Sequence, residues 1–388
     1  MESFSFSTSF SLGGPKPASF RCRHYVSSPV ISKVSIRPPP AGFDYKLEVL
    51  EDTRSTVERE HPELMDLVEK GSLVVVEKRR FGPVPSWRSA FVEPEVIWLV
   101  GTSHISAQSA VDVVRVIEAI TPDNVVVELC RSRAGIMYTS IDDEPSVLAK
   151  SNMFSLTGSK FLGAVGRSLD LGGQTALALR LLLAFYSSKI SSGSQQAFGN
   201  EFRAARRVSE EIGAQLVLGD RPIEITLERA WRSLQWNEKL KLITALFQGI
   251  TSPLTAGSPE IGASPTLLEK EEDASPFKLY EQLSLSYPSL LQPLIHERDT
   301  YLSWSLKRSK AVQNSKRVVG VIGKGHMNGV VYALVSDLGD LRFRDLVGTK
   351  PSGASSNGWV RELFLGFLRD TVLAVILWSL FEFFQHYS

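Results

Sequence analysis

Five short runs of β-branched and other apolar residues punctuate the chain, at 72–76, 95–100, 124–128, 215–218 and 317–322. Runs of this length and composition predict strands. Between the second and third, Ala110, Val113, Val114 and Ile117 recur at helical spacing, with Ser106 placed to cap the helix. Strand, helix and strand in that order build parallel sheets. Upstream, the charged stretch 48–70 carries apolar positions at Leu50, Val57, Leu64 and Leu67, which predicts a surface helix ending at Gly71. Further helices are expected at 171–186, at 201–212 with Phe202, Ala205 and Val208 on one side, and from Pro222 through Trp231. Others are expected at 238–247, at 279–310 with kinks at Pro288 and Pro293, and at 327–335, while 187–194 reads as loop. The pattern as a whole predicts an α/β fold with a central mixed, largely parallel sheet flanked by helices, and a hydrophobic helix at the C-terminus.

The two ends lie outside that pattern. Residues 1–40 contain ten serines, several basic residues and, before the prolines, a single acid, Glu2. That is the composition of a transit peptide. The uncharged Ser/Phe alternation at the start points to a chloroplast address, with a mitochondrion as the alternative. Pro38, Pro39 and Pro40 form a stiff break before the domain at 44–350. Residues 351–360 read as a small, polar linker. Residues 361–388 hold the strongest hydrophobic run, from Leu363 to Phe384, interrupted by Arg369, Asp370 and Glu382. Two readings stand: a membrane anchor, or an amphipathic helix docked on the domain. Within the domain, 251–276 carries four Ser-Pro pairs and an acidic cluster, and reads as an exposed insertion.

Composition narrows the chemistry. A net charge of +1 argues against a broadly basic nucleic-acid binder. Two cysteines, Cys22 and Cys130, exclude a disulfide scaffold or a cysteine-rich zinc site, so any metal needs histidine and carboxylate ligands. Cys130 reads as a packed thiol.

One arrangement occurs twice. A strand runs into Gly101, Thr102, Ser103 and His104, and a helix follows; another runs into Gly323, Lys324, Gly325 and His326, and a helix follows. Both histidines fall past the carboxyl end of a buried strand, the edge at which open α/β sheets bind ligands. Two further strands stop abruptly at charge, at Glu128 with Arg131 and Arg133 beyond it, and at Asp220 with Arg221. If these strands are parallel neighbours, His104, Glu128, Asp220 and His326 share one rim. Two histidines and a carboxylate are a ligand set for zinc, manganese or cobalt. A second carboxylate could act as base, and Arg133 or Arg221 could hold an oxyanion. The plainer readings are helix-capping or core histidines, a structural Glu128–Arg133 salt bridge, and a helix-initiating turn at Asp220–Arg221–Pro222. Gly323–Lys324–Gly325 lacks P-loop spacing. His296 is the remaining histidine candidate; Glu297, Arg298 and Asp299 beside it form a charge cluster with apolar neighbours that imply partial burial.

These residues together resemble the TraB family, which includes the enterococcal pheromone-shutdown proteins and relatives of the Tiki proteins. The resemblance rests on GTSHIS at 101–106, VVVELCRSR at 125–133, EFRAA at 201–205, LGDRPIEITLERAW at 218–231, ERDTYL at 297–302 and VVGVIGKGHMNG at 318–329. It spans roughly 95–340, and the order of motifs fits. It implies a metal-dependent hydrolase of the metallopeptidase kind, with His104, His326 and Glu128 as metal site and Arg298 in the family's ER-D/N element. It also raises the expectation of a C-terminal membrane segment. The N-terminal extension makes the chain look like an organellar member, and the Ser-Pro-rich insertion departs from the pattern. The leading expectation is a peptide- or protein-cleaving, metal-dependent hydrolase at an organellar membrane, with Glu128, Arg133, Asp220, Arg221 and Arg298 serving the chemistry. The alternative is a non-catalytic peptide-binding or membrane-tethering module.

Overall fold

The apolar runs assemble as β1 (Leu73–Glu77), β2 (Val96–Thr102), β3 (Asn124–Val127), β4 (Gln215–Leu218) and β5 (Arg317–Gly323), in the spatial order β1-β2-β5-β3-β4. This is a computed structural model, and it describes residues 36–88, 90–104, 106–138, 199–251 and 285–347. All of them belong to one compact unit spanning Lys33–Ser352. The pair β1–β2 is antiparallel and the other three pairings are parallel, so the sheet is mixed and largely parallel, as expected. The expected elements at 171–186 and 187–194, the insertion from 252 onward, the linker at 351–360 and the hydrophobic run at 363–384 lie outside the described residues. Among the described residues, no helix is long and apolar enough to cross a membrane.

The strands are apolar on both faces because both faces are covered. Leu73, Val75, Trp98, Val100, Val125, Val127, Val319 and Val321 point to one side, where they pack with helices α2 (Ala107–Ile120) and α3 (Asn200–Ile212). Val74, Val76, Ile97, Leu99, Val126, Val318 and Ile322 point to the other side. There they meet Leu302 and Leu306 of α6 (Glu297–Lys307), and Met327, Val330, Val331 and Leu334 of α7 (Lys324–Val335). The edges are handled differently. At β1, Thr53 Oγ1 of α1 (Leu50–Glu60) accepts a 3.0 Å hydrogen bond from Val75 N. β4 leaves Gln215 and Leu218 exposed.

Local chemistry sets the element ends. Helix α2 buries Val113, Val116, Ile117 and Ile120, a stripe at i, i+3, i+4 and i+7. It stops at Thr121, which adopts a left-handed φ of 45° just before Pro122. Helix α3 stops at Gly213, with φ 74°. The single helix expected over 48–70 is broken instead. Pro62 lacks an amide hydrogen and forces His61 out of the helical region (φ −143°, ψ 63°), so α1 ends at Glu60 and a separate turn of helix, Met65–Glu69, carries the chain to Gly71. Pro222 is the residue before α4 (Ile223–Ser233), and a further helix, α5, spans Trp236–Thr251. Pro288 begins a helix rather than kinking one, whereas Pro293 sits in a π-helical turn, Gln292–His296, that feeds α6. Ile36, ahead of the proline run, packs with Tyr301, Trp304 and Leu346.

Helix α6 ends in a buried cation. Lys307 is 1% exposed. Its Nζ donates to Leu334 O at 2.6 Å and stands 5.1 Å from the centre of the Phe81 ring. Burial, reinforced by the neighbouring Arg308 charge, pulls its pKa down to about 7. A lysine with a depressed folded-state pKa burdens the fold fully below that pH. The burden lifts as pH rises from about 7 toward the ordinary 10.5. Lys307→Met is therefore expected to stabilise the chain by roughly 1–4 kcal/mol at pH 6, with the advantage shrinking above pH 8. Urea denaturation across pH measures it, and a destabilised variant at pH 6 would contradict this account.

Candidate functional site

The parallel strands end at one level. Thr102 pairs with Gly323, and Val127 pairs with both Val321 and Leu218. His104 follows β2 by two residues, Glu128 directly follows β3, Asp220 follows β4 by two residues, and His326 is the third residue of α7 after β5. The helices after β2 and β5 leave on opposite faces of the sheet, which opens a crevice between these adjacent strands. That is a topological switch point, the place where open α/β sheets bind ligands. The two histidines stand on its two sides.

Each imidazole is anchored the same way. His104 Nδ1 lies 2.6 Å from Glu201 Oε1, and His326 Nδ1 lies 2.6 Å from Asp299 Oδ1. A carboxylate that accepts from Nδ1–H fixes the ring so that its Nε2 turns toward the crevice. Glu201 is 0% exposed and Asp299 3%. Gly329 makes room for the second anchor, since a Cβ there would lie 1.8 Å from Asp299 Oδ2. Gly323 makes room on the other side. A Cβ there would lie 2.9 Å from His104 Nε2 and 3.2 Å from Glu128 Oε2, so the bare glycine is the cradle over which these two groups approach one another.

Glu128 occupies the middle. Its Oε2 accepts from Gly323 N at 2.8 Å, and its Oε1 accepts from Arg298 Nη2 at 2.7 Å and lies 3.3 Å from His326 Nε2. Burial alone would raise its pKa, but His326, Arg298 and His104 outweigh burial and hold the carboxyl well below the usual range. His326 is affected in the opposite sense. Burial opposes its charge, yet the Glu128 and Asp299 carboxylates prevail and raise its pKa. Arg298 ties the cluster together: Nε reaches Asp220 Oδ1 at 3.1 Å, Nη2 reaches Asp220 Oδ2 at 2.8 Å, and Nη1 stands 3.0 Å from His326 Nε2. Arg133 also donates to Asp220 Oδ2.

Of the residues singled out in the sequence, the fold gathers His104, Glu128, Arg133, Asp220, Arg298 and His326 at one rim. Arg221 is elsewhere. Fully buried, it clasps Glu297 and donates to Thr226 Oγ1 at 3.0 Å and Pro293 O at 2.6 Å; Arg229 grips the same glutamate at 2.5 and 2.6 Å. It braces α4 against α6 and does not face the crevice residues. Glu128 pairs with Arg298, and Arg133 reaches only its carbonyl, at 3.3 Å. Arg131 is exposed and Cys130 is buried. His296 is buried, which lowers its pKa, and is not one of the rim imidazoles. In the 297–299 triplet Glu297 and Asp299 are buried and Arg298 is half-buried, with each charge matched by a partner.

Sequence reasoning left Glu201 and Asp299 without roles of their own. A signal for the first existed. Glu201 sits on the same stripe of α3 as Ala205 and Val208, at i, i+4 and i+7, and a charge on an apolar stripe needs a buried partner. Asp299 had no such marker, because α6 is buried on all sides and has no stripe.

The donor types are those a divalent ion takes: two imidazoles held by carboxylates and an anionic carboxylate over a glycine cradle. Among the described residues, however, no three His, Cys, Asp or Glu side chains stand close enough together to clasp one ion. Arg298 instead lies against both His326 Nε2 and Glu128 Oε1.

The anchor geometry makes a prediction independent of any metal. Gly329→Ala must push Asp299 off its position, and the chain is expected to lose about 1–3 kcal/mol of stability, the usual cost of overpacking. Gly135→Ala, where nothing stands within 4 Å of the new carbon, should leave the urea midpoint within about 0.5 kcal/mol of wild type. Equal midpoints for both variants would show that the Gly329 contact is not tight.

Residues 86–335 match the TraB/PrgY/gumN family. TraB domain-containing proteins of Mus musculus and Homo sapiens are each 29% identical to the chain over 286 residues, covering 70% of it and 71% of their own length. An uncharacterized protein of Methanocaldococcus jannaschii is 25% identical over 286 residues, covering 73% of this chain and 64% of its own. The matched segment contains every residue of the crevice described above, and the chain belongs to the TraB/PrgY/gumN family.

Proposed function

We propose that the chain is a metal-dependent hydrolase acting on peptide bonds, with its site in the crevice between β2 and β5. One observation carries this reading. Two imidazoles from opposite sides of a switch point are each oriented by a buried carboxylate through Nδ1, and both present Nε2 toward Glu128. Carboxylate–histidine pairs of this kind fix the tautomer that a metal requires. A salt bridge built for stability alone needs no such tautomer.

His104, His326 and Glu128 are the residues that would hold zinc, manganese or cobalt. When bound, such an ion supplies Lewis acidity, which polarises a carbonyl and makes water acidic enough to attack near neutral pH. Glu201 and Asp299 keep the imidazole protons on Nδ1. Arg133 and Arg298 neutralise Asp220, so this acid is engaged as a brace. Lys324 and Gly325, at the exposed start of α7, leave this side of the crevice accessible to a substrate.

A second reading rests on the complete pairing of the rim acids by Arg133 and Arg298: a non-catalytic module that binds a peptide or tethers to a membrane, with the motif residues knitting the fold. Residence in a chloroplast or mitochondrion, and anchoring through 363–384, belong to either reading and rest on sequence composition.

The readings separate in one experiment. Full-length wild type, His104→Ala and His326→Ala are purified and compared for bound metal and for cleavage of a peptide library. The hydrolase reading expects a stoichiometric ion and activity in wild type and loss of both in each variant. Equal metal in all three would end it. The anchors give a graded version. Glu201→Gln and Asp299→Asn are expected to weaken metal affinity about 10- to 100-fold while the fold persists. Unchanged affinity in both would remove their assigned role.

A further inference from the structure

We infer that Arg298 is a built-in cation that competes with a divalent metal ion for His326 Nε2 and Glu128 Oε1. The inference rests on the metal-site reading above and adds to it a residue that sets the affinity of that site.

The geometry is direct. Nη1 of Arg298 lies 3.0 Å from His326 Nε2, and Nη2 lies 2.7 Å from Glu128 Oε1. Guanidinium nitrogens only donate, so Nη1 bonds His326 through the Nε2 lone pair of the neutral ring. Asp299 holds the ring proton on Nδ1, 2.6 Å away, which leaves that lone pair directed at the guanidinium. A metal ion bound by His326 requires the same lone pair. The Glu128 oxygen is in a similar position: it faces Arg298 and His326 together, at 2.7 and 3.3 Å. One cation therefore already lies against two of the three candidate ligands.

Nε of Arg298 holds Asp220 Oδ1 and Oδ2 at 3.1 and 3.2 Å, and Nη1 is 3.4 Å from Leu294 O. An incoming ion takes the places of Nη1 and Nη2 at His326 and Glu128, while the Nε contact to Asp220 involves neither ligand. The buried charge stays matched, and the exchange replaces one cation by another. In the metal-free chain the same contacts keep Glu128 from standing as an uncompensated buried anion.

A structural brace and a competitor predict opposite signs. If Arg298 only braces the site, removing it loosens the ligands and weakens metal binding. If it competes, removing it strengthens binding. Metal-stripped full-length wild type, Arg298→Gln and Arg298→Lys are titrated calorimetrically with Mn²⁺ and, separately, with Zn²⁺, with melting curves to confirm folding. Arg298→Gln is expected to bind tighter by about 10- to 100-fold, the scale of losing charge-assisted hydrogen bonds to the competing group. Arg298→Lys, which keeps the charge but lacks the planar fork, should fall between the two and decides the matter if the glutamine variant does not fold. Binding to wild type with no gain in the folded variant overturns this inference alone. No saturable binding by any of the three proteins overturns both it and the metal-site reading.

Discussion

An ionised carboxylate at the buried end of a strand is unstable unless cations or hydrogen-bond donors surround it. That constraint organises the whole rim. Glu128 and Asp220 end two neighbouring strands, both are 5% exposed or less, and the fold answers them with Arg298 and Arg133. Glu201 and Asp299 are buried as well, and they are answered by the two imidazoles. Four acids, two arginines and two histidines, drawn from the ends of three strands, the loop after β3 and helices α3, α6 and α7, thus form one connected electrostatic unit. Removing Arg298 takes a cation from Glu128 and Asp220 at once, which ties these widely separated motifs to one another.

The sheet order gives that unit its place. β5 is last in sequence among the strands but inserts between β2 and β3. Its following helix packs on the face opposite to α2. Without that insertion His104 and His326 would not border one crevice. Small residues then set the distances within it. Gly323 lets Glu128 and His104 approach over a bare backbone, Gly329 admits Asp299 beside α7, and Gly320 admits Leu306, whose Cδ2 lies 2.7 Å from where a Cβ would be. The last contact seats α6 on the sheet and so delivers Arg298 and Asp299.

The strands were readable because both faces of the sheet are covered, which makes each strand an unbroken apolar run. All five appear within two residues of their expected bounds. The helices with one wet face were readable for the related reason that their stripes are visible. Helix α6 was legible as helix but not as a site element. It is buried on all sides, so its charged triplet resembles an ordinary polar cluster until its partners are known. Similarly, Arg133 and Arg221 look equivalent in sequence, each shortly after a strand. Only packing shows that the first reaches Asp220 and the second turns away toward Glu297 and the Pro293 carbonyl.

By itself the sequence determined the fold class, the positions of the strands and the presence of two glycine–histidine turns at strand ends, because periodicity and turn chemistry act over a few residues. The tertiary structure alone decided which strands are neighbours, which carboxylate holds which imidazole, and that an arginine lies against the histidine lone pair. Those are relations between residues as many as 221 positions apart, as between Thr102 and Gly323. They are fixed by how the layers pack and how buried charges are matched, and neither leaves a periodic trace along the chain.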